Sequence, residues 1–268
     1  MDFASLERKE WSDGAVAQSY ATGFAQASAM CVPTFVAGCG EAKAALDLCC
    51  GHGIIACGLV DAGMTVTAAD FSPAMLDLAR QRVPEARIVE ADAMALPFED
   101  QSYDAVTIGF GMPHVPDPPR VLRECWRVLR PGGRLIYSAW QDVGGKSALV
   151  AFFQAVGTHG DPRVKLPPGP GASDYLRPEI AEPALMAAGF VGISYDTVPS
   201  EWVCDTPAAP NDLFLEGAAR GGYLLRAQSP EHQKAIRAAI VAWVEENCLK
   251  GPPWHIPIPA GLVTATKA

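Results

Sequence analysis

Short apolar runs alternate with segments of helical periodicity through the first half of the chain. The apolar runs predict strands at residues 44–49, 64–69, 87–90, 103–109 and 134–140. Helices are predicted between them at residues 54–62, from Ser72-Pro73 onward, and at 119–129. This alternation indicates an α/β fold, in which a mostly parallel, Rossmann-like sheet is covered by helices on both faces. Ligands of such sheets bind at the carboxyl ends of the strands.

The pattern changes on both sides of this core, which we place at residues 43–141. An Ala-rich N-terminal stretch predicts a helical cap over residues 1–42. Later elements are predicted as helices at 147–156, 178–188, 211–227 and 229–248, a strand at 191–198 and a closing strand at 257–267. A Pro/Gly-rich loop at 161–173 is a candidate lid. We expect a single domain over residues 1–268, with 142–256 between the core and the closing segment 257–268.

Composition and charge limit the binding partners and the location that we expect for this protein. The chain has 268 residues, 49% of them hydrophobic, and a formal net charge of −9. Binding to a nucleic-acid backbone needs a Lys/Arg-rich face, and the arginines between Arg120 and Arg134 fit a solvated helix face better. The charged N-terminus lacks a signal-peptide core, and no apolar run approaches the ~18 residues of a membrane span. We therefore expect a cytoplasmic protein that binds neither nucleic acid nor membrane, as a monomer or a homodimer.

The eight cysteines show no metal-binding or disulfide pattern. None forms a C-x-x-C pair, and none is combined with histidine at zinc-finger spacing. They are expected to be reduced thiols, most of them buried. Because we find no metal-ligand constellation, we predict activity without a metal, which a chelator would test.

The candidate chemistry begins at a glycine turn after the first predicted strand. Gly51 and Gly53 permit a tight turn and close approach of a ligand to the backbone, and Ala56 lets the next helix pack on the sheet. The pattern Gly51-x-Gly53-x-x-Ala56 also fits a dinucleotide-binding fingerprint, so the turn by itself does not separate the two cofactor classes.

Two acidic residues near the turn bear on which class of cofactor binds there. Asp47 precedes the turn, where it would repel a pyrophosphate and attract a ligand with an ammonium and a sulfonium. The alternative is that backbone amides satisfy Asp47 at the strand end. Asp70 lies 19 residues after Gly51, where a carboxylate can accept bonds from both ribose hydroxyls. Phe71 and Met75 can then flank an adenine with apolar surface.

A third acidic residue follows the third strand. Asp92 can accept from an adenine amino group while the next backbone amide donates to a ring nitrogen. Alone, Asp92 would be a loop cap, but it is predicted at the same sheet edge as Gly51 and Asp70.

Four motifs in order give the sequence a resemblance to class I methyltransferases of the ubiquinone/menaquinone-biosynthesis type, often called type 11. They are DLCCGHG at 47–53, TAADFSPAMLDLAR at 67–80, ADAMALPFEDQSYDAV at 91–106 and RECWRVLRPGGRLIYSAW at 123–140. The ending PIPAGLVTATK also resembles that family's antiparallel last strand.

The resemblance implies a cofactor, S-adenosyl-L-methionine, and the residues that bind it. Gly51, Asp70, Asp92 and Ala93 would hold it, with Gly109 and Phe110 closing its methionine end. Cys49 stands where the family usually has glycine, and its backbone can still serve the ligand. The cap and residues 142–256, where the likeness is weak, would build the pocket of a small-molecule acceptor that is apolar or aromatic.

Two further residues are candidates for the site, His114 for the reaction and Tyr20 for contact with the cofactor. Methyl transfer from a sulfonium mainly requires alignment in a water-poor site, and a general base adds rate for hydroxyl or amine acceptors. His114, after the fourth strand, is the candidate base; alternatively it closes the pocket by packing. Tyr20 either covers the cofactor from the N-terminal helix or packs there.

Three functions fit these residues. The leading prediction is methylation of a small molecule at O, C or N. An NAD(P)-dependent oxidoreductase would also use the glycine turn and Asp70. A non-catalytic cofactor-binding protein would keep the same fold and motifs.

Overall fold

The computed structural model describes residues 1–249 and 251–268. Its helices are α1 (Phe3–Trp11), α2 (Gly14–Gly23), α3 (Ala25–Ala29), α4 (Val32–Cys39), α5 (Ile54–Asp61), α6 (Pro73–Arg82), α7 (Pro118–Val128), α8 (Ala148–His159), α9 (Pro178–Ala188), α10 (Ala209–Gly217), α11 (Ala219–Arg226) and α12 (Pro230–Asn247). Its strands are β1 (Ala44–Leu48), β2 (Thr65–Asp70), β3 (Arg87–Glu90), β4 (Tyr103–Ile108), β5 (Leu129–Trp140), β6 (Phe190–Val198), β7 (Glu201–Cys204), β8 (Trp254–Pro257) and β9 (Ala260–Lys267). Short 3-10 helices lie at Met112–His114 and Asp174–Leu176.

The chain divides into two compact units, each made of separate stretches of sequence. The first, here the sheet unit, comprises residues 28–140, 169–198 and 260–268. The second, here the helical unit, comprises residues 1–27, 141–168 and 199–259. The expected single domain and its four sequence segments stay a prediction.

A seven-stranded sheet forms the centre of the sheet unit. Its strand order is β3-β2-β1-β4-β5-β9-β6. β1 pairs in parallel with both β2 and β4, whereas β9 is antiparallel to β5 and β6. The predicted parallel Rossmann-like sheet with an antiparallel last strand is confirmed. The order reverses between β1 and β4, which makes this edge the expected ligand crevice.

Local sequence explains how the elements around that crevice begin. β1 is almost continuously apolar and buried, as expected for a central parallel strand with helices on both faces. At the start of α6, the Ser72 hydroxyl accepts from the Met75 N–H at 3.2 Å, and Pro73 occupies the first helical position. The predicted cap is therefore confirmed, and it begins α6 two residues after Asp70.

Two predicted elements of the second half differ from the structure. The single helix expected at 211–227 is wrong: α10 and α11 are separated at Ala218, whose backbone is extended. A Cβ on Gly217 would lie 2.9 Å from the Tyr20 backbone nitrogen, so α10 ends where it approaches α2 closely. The closing strand begins at Ala260 rather than at 257, because β8 pairs instead with β7 in a separate sheet.

The described helices include none that is long and apolar enough to cross a membrane.

Candidate cofactor site

The glycine turn after β1 has an unusual backbone. Cys49, Gly51 and Gly53 have φ values of 54°, 52° and 80°, in the left-handed region. Glycine adopts that region at no steric cost, whereas a residue with a Cβ such as Cys49 is strained there. At Gly53 space is also limited, because an added Cβ would lie 3.3 Å from the Ala79 Cα. The turn thus places Gly53 at the N-cap of α5.

Asp70 joins this turn to the end of β2. One carboxylate oxygen accepts from the Gly51 N–H at 2.9 Å, and the other accepts from the Ser72 N–H at 2.9 Å. Burial is the main cause that raises the pKa of Asp70, and these backbone hydrogen bonds oppose it. Each carboxylate oxygen has a second lone pair, so Asp70 can accept two hydroxyls in addition. The structure thus brings the predicted Gly51 and Asp70 together.

Asp47 lies under the turn with no exposed surface. Its two oxygens accept from the Ala56 N–H at 3.0 Å and from the Thr107 hydroxyl at 2.8 Å. The pKa of Asp47 is raised to about 7, mainly by burial and in part by the negative charge of Asp70, while the two hydrogen bonds lower it. These contacts favour the alternative of an internally satisfied strand-end residue, and direct cofactor contact stays a prediction.

The loop after β3 is organised by Asp92. Its carboxylate accepts from the Met94 N–H at 2.8 Å, and its carbonyl accepts from the Ala95 N–H at 2.9 Å. Arg120 of α7 donates to the Met94 carbonyl at 2.7 Å. Asp92 is therefore a loop cap that still has lone pairs for a ligand, and the adenine contacts of Asp92 and buried Ala93 stay predictions.

The third side of the site follows β4. Phe110 has a φ of 61°, and its N–H donates to the buried Ser138 hydroxyl at 3.1 Å. Its ring stacks on Trp140 with centroids 3.9 Å apart. A left-handed phenylalanine costs free energy that these contacts must offset. Gly109 precedes it, and a Cβ there would lie 3.0 Å from Ile55.

His114 ends the short 3-10 helix that follows this segment. Its N–H donates to the Gly111 carbonyl at 2.9 Å, which fixes the backbone. Burial is the main cause that raises the pKa of Asp70, and the charge of His114 acts in the opposite direction. The predicted role of His114 as a base stays a prediction.

Of the remaining predicted cofactor residues, Phe71 and Met75 belong to the sheet unit and Tyr20 belongs to the helical unit. Met75 is buried, and its sulfur would be 3.9 Å from a Cβ at Gly51. Phe71 lies between Asp70 and the cap of α6, half-buried. Tyr20 belongs to the helical unit, where its ring stacks on Phe24 at 5.0 Å.

Sequence reasoning missed two polar residues that support the site. Thr107 of β4 and Ser138 of β5 are both fully buried, and they hold Asp47 and Phe110 respectively. The available signal was a serine or threonine within the mostly apolar stretch of each strand, AVTI at 105–108 and LIYSA at 135–139, since buried polar groups need hydrogen-bond partners.

No group of three or more described His, Cys, Asp or Glu residues is arranged to hold a metal ion. Independence of metal stays a prediction.

Cys49 and Gly111 lie so close together that we expect substitutions at the two positions to affect each other's free energy of unfolding. A Cβ on Gly111 would lie 2.5 Å from the Cys49 Cβ and 2.9 Å from Ile108 Cγ2. We expect Gly111→Ala to destabilise the protein by about 1–3 kcal/mol, because the turn must move. Cys49→Gly should relieve this clash, and glycine suits the left-handed backbone at position 49. The double variant should therefore be more stable, by about 1 kcal/mol or more, than the sum of the two single effects on the free energy of unfolding would give. Chemical denaturation of the four proteins measures this coupling.

Gly14→Ala is the matched control, because a Cβ there meets nothing within 4 Å. Strict additivity of Cys49→Gly and Gly111→Ala would contradict the proposed contact.

Comparison with known proteins finds a family that part of this chain matches. Residues 46–137 match the family described as Methyltransferase domain. This stretch contains β1 to β4 and most of β5, together with the glycine turn and Asp70. The resemblance inferred from the four motifs is thereby confirmed over this part of the chain.

Curated relatives match the same part. Demethylmenaquinone methyltransferase from Renibacterium salmoninarum is 45% identical over 91 residues, 34% of this chain and 38% of that protein. The enzyme of that name from Listeria welshimeri is 42% identical over 122 residues, 41% of this chain and 52% of that protein. The chain thus matches about half or less of the length of these relatives.

Solved structures extend the likeness to the whole fold. Haemonchus contortus phosphoethanolamine N-methyltransferase 2, solved with phosphomonomethylethanolamine and S-adenosylhomocysteine, has a TM-score of 0.57 at 19% identity, covering 100% of this chain and 60% of that chain. The [4+2]-cyclase SpnF has a TM-score of 0.53 at 18% identity, covering 89% and 81%. At these identities the likeness shows the class I methyltransferase fold alone.

Proposed function

We propose that this chain, whose residues 46–137 match a methyltransferase domain, transfers a methyl group from S-adenosylmethionine to a small molecule. The observation that supports it most directly is the position of Asp70. Its carboxylate is held between the Gly51 and Ser72 amides at the carboxyl end of β2. This is the edge where a parallel sheet binds a nucleoside and where a carboxylate accepts ribose hydroxyls.

The electrostatics of the site favour a cationic cofactor over a dinucleotide. Asp47 and Asp70 are both buried, and the pKa of Asp47 is raised to about 7, mainly by burial and in part by the negative charge of Asp70. A pyrophosphate placed on the Gly51 turn would add negative charge to this region, whereas an ammonium or a sulfonium would relieve the repulsion. The residues present therefore fit S-adenosylmethionine.

When bound, S-adenosylmethionine supplies an activated methyl group on a sulfonium. The chain's own contribution is positioning and exclusion of water. Asp70 and the Gly51 turn orient the nucleoside, and the stack of Phe110 on Trp140 fixes the apolar wall after β4. No residue needs to take a covalent intermediate, because the acceptor atom displaces the sulfur directly.

The acceptor is proposed to be a small, apolar or aromatic molecule. The relatives named as demethylmenaquinone methyltransferases and the complex with phosphomonomethylethanolamine support small-molecule methylation as a class. They match only part of this chain or share little identity with it, so they do not select the acceptor. We also propose that the protein is cytoplasmic and does not bind nucleic acid.

Calorimetric titration with S-adenosylmethionine and, separately, with NADH tests the cofactor assignment. We expect micromolar binding of S-adenosylmethionine and none of NADH, for the electrostatic reason given above. Binding of NADH alone would make the oxidoreductase the correct function. Binding of S-adenosylmethionine without S-adenosylhomocysteine formation over a panel of phenols, amines and quinols would favour a non-catalytic protein of this fold.

Replacing His114 tests the proposed base. We expect His114→Ala to lower kcat about 100-fold or more with a hydroxyl or amine acceptor, because a positioned base accelerates by ~10²–10⁴. The Kd for S-adenosylmethionine should stay within about twofold, since the His114 backbone hydrogen bond to Gly111 remains. Product formation in single turnovers measures the effect.

His159→Ala is the control, because His159 is exposed at the end of α8. An unchanged kcat in His114→Ala would show that His114 only packs.

A further inference from the structure

The loop between β3 and β4 is held by side chains of α7. This loop, here the Asp92 loop, comprises residues 92–101. Arg120, Glu124 and Arg127 follow one another at i, i+4 and i+7, so they share one face of α7. These three residues, here the polar face of α7, contact the loop, whereas the apolar residues of the same helix belong to the buried core: Val121, Leu122, Cys125 and Val128.

Arg127 bonds the loop with its whole guanidinium group. Its Nη1 donates to the Phe98 carbonyl at 2.7 Å and to the Asp100 carboxylate at 2.8 Å. Its Nη2 donates to the Leu96 carbonyl at 3.0 Å and to Glu124 at 2.8 Å, and its Nε donates to Glu124 at 2.9 Å. The five N–H groups of an arginine are thus matched by five acceptor atoms. A lysine has a single nitrogen and cannot reproduce this arrangement.

Glu124 and Arg120 complete the attachment of the loop. The Glu124 carboxylate accepts from the Leu96 N–H at 2.7 Å, so both backbone groups of Leu96 are bonded to α7. Arg120 donates to the Met94 carbonyl at 2.7 Å. The N–H of the same residue donates to the Asp92 carboxylate at 2.8 Å. The polar face of α7 therefore fixes the backbone to which the Asp92 side chain is bonded.

The register of the sheet places the start of this loop beside Asp70. Asp70 pairs with Glu90 between β2 and β3, and the Ala91 N–H donates to the Asp70 carbonyl at 2.9 Å. Asp92 and Ala93, the two residues predicted to meet the adenine, come directly after Ala91. Because a hydrogen bond weakens steeply when its distance or angle is lost, their contacts with a base depend on how the loop is held.

We propose that Arg127 is a positioning residue that makes the site selective for adenine over a 6-oxopurine, by holding Asp92 and Ala93 against the base. Its own donors all bond to the protein, so it acts on the ligand through the loop. A 6-oxopurine turns its carbonyl oxygen toward the Asp92 carboxylate and its ring N–H toward the Ala93 N–H, so both contacts become repulsive. This inference rests on the proposed function, because it takes the bound nucleoside to be that of S-adenosylmethionine.

Calorimetric titration with S-adenosylhomocysteine and with S-inosylhomocysteine measures this selectivity as the ratio of two Kd values. The two ligands differ only at the base. We expect the unaltered protein to bind S-adenosylhomocysteine at least about 30-fold more tightly, because a hydrogen bond to the Asp92 carboxylate and one to the Ala93 amide are lost with the 6-oxopurine. Arg127→Gln and Arg127→Lys should both lower the ratio to about fivefold or less, mainly by weakening S-adenosylhomocysteine.

Arg123→Gln is the matched control, because Arg123 is exposed on the same helix. It should keep the ratio of the unaltered protein. Arg120→Gln removes the bond to the Met94 carbonyl and leaves the bonds of Arg127 in place, so it should give an intermediate ratio even if Arg127→Gln fails to fold. Thermal unfolding of the unliganded variants shows which of them are folded.

Asp92→Ala separates positioning of the loop from general stabilisation of the domain. The ratio should already be low in Asp92→Ala, and adding Arg127→Gln should then change it by less than about twofold. If Arg127 only stabilised the domain, its replacement would weaken both ligands equally and the ratio would stay as it is.

An unchanged ratio in folded Arg127→Gln, or in Arg120→Gln where the former does not fold, would overturn the proposal. The same holds for a ratio near one in the unaltered protein, and in both cases binding of S-adenosylhomocysteine leaves the cofactor assignment standing. An unaltered protein that binds neither ligand removes the proposed function and this inference together. The expected ratios without methyl transfer to any acceptor would keep the role of Arg127 and remove the enzymatic assignment.

Discussion

Asp70→Ala is expected to raise the Kd for S-adenosylmethionine about 100-fold or more, because hydrogen bonds to a charged group contribute roughly 1.5–3 kcal/mol each and two ribose hydroxyls lose theirs. The same change releases the Gly51 and Ser72 amides, which the Asp70 carboxylate holds at 2.9 Å each. The turn therefore loses its anchor as well as its ligand contact. Calorimetric titration gives the Kd, and thermal unfolding of the unliganded protein reports the contribution of the anchor.

Asp77→Ala is the matched control. Asp77 lies on α6, close to Asp70 in sequence, and its exposed side chain pairs with Arg80 at the surface, at 2.6 Å. An exposed pair of this kind contributes little to stability. A change of less than about threefold in Kd for Asp70→Ala, with the fold intact, would contradict the assignment of Asp70 as the nucleoside-binding carboxylate.

Asp47→Asn is expected to make the stability of the protein less sensitive to pH between about 4 and 7. The pKa of Asp47 is raised from 3.8 to about 7, mainly by burial and in part by the charge of Asp70. Between these two values the unfolded chain has released the proton and the folded protein still holds it. The unfolded state then binds fewer protons, so the free energy of unfolding falls as the pH rises through this window.

The size of this effect is on the order of 4 kcal/mol at pH 8, since each unit of pKa shift corresponds to about 1.36 kcal/mol. Asparagine suits the site because its oxygen can accept from the Ala56 N–H, as Asp47 does, and its amide nitrogen can donate to the Thr107 oxygen in place of the bond that the Thr107 hydroxyl donates to Asp47. Asp47→Asn should therefore be more stable than the unaltered protein at pH 8 and similar to it at pH 4.

Denaturant unfolding of the unliganded proteins at several pH values measures this difference. Asp77→Asn serves as the control, because it makes the same chemical change at an exposed position. Parallel stability curves for Asp47→Asn and the unaltered protein would show that Asp47 is ionised in the folded state throughout. The low-pH loss of stability from other carboxylates, such as Asp104 with its lowered pKa, cancels in the comparison.

Local sequence patterns were sufficient to predict most of the strands and helices of the core. The alternation of apolar runs and helical segments predicted β1 to β5 and the helices between them, and Ser72 caps α6 as expected. These features depend on side-chain periodicity and on hydrogen bonds within a few residues, both of which are visible in sequence. The second half was predicted less well. The break at Ala218 and the pairing of β7 with β8 depend on what those segments pack against.

The sequence by itself determined the parallel sheet, the glycine turn and the carboxylates at its edge, because spacing and residue type dictate them. Only the tertiary structure decided which group each carboxylate binds. Asp47 is satisfied by Thr107, 60 residues away, and Asp70 by Gly51, 19 residues away. The physical reason is that desolvation and long-range hydrogen bonds depend on the packed interior, which no local pattern of residues specifies.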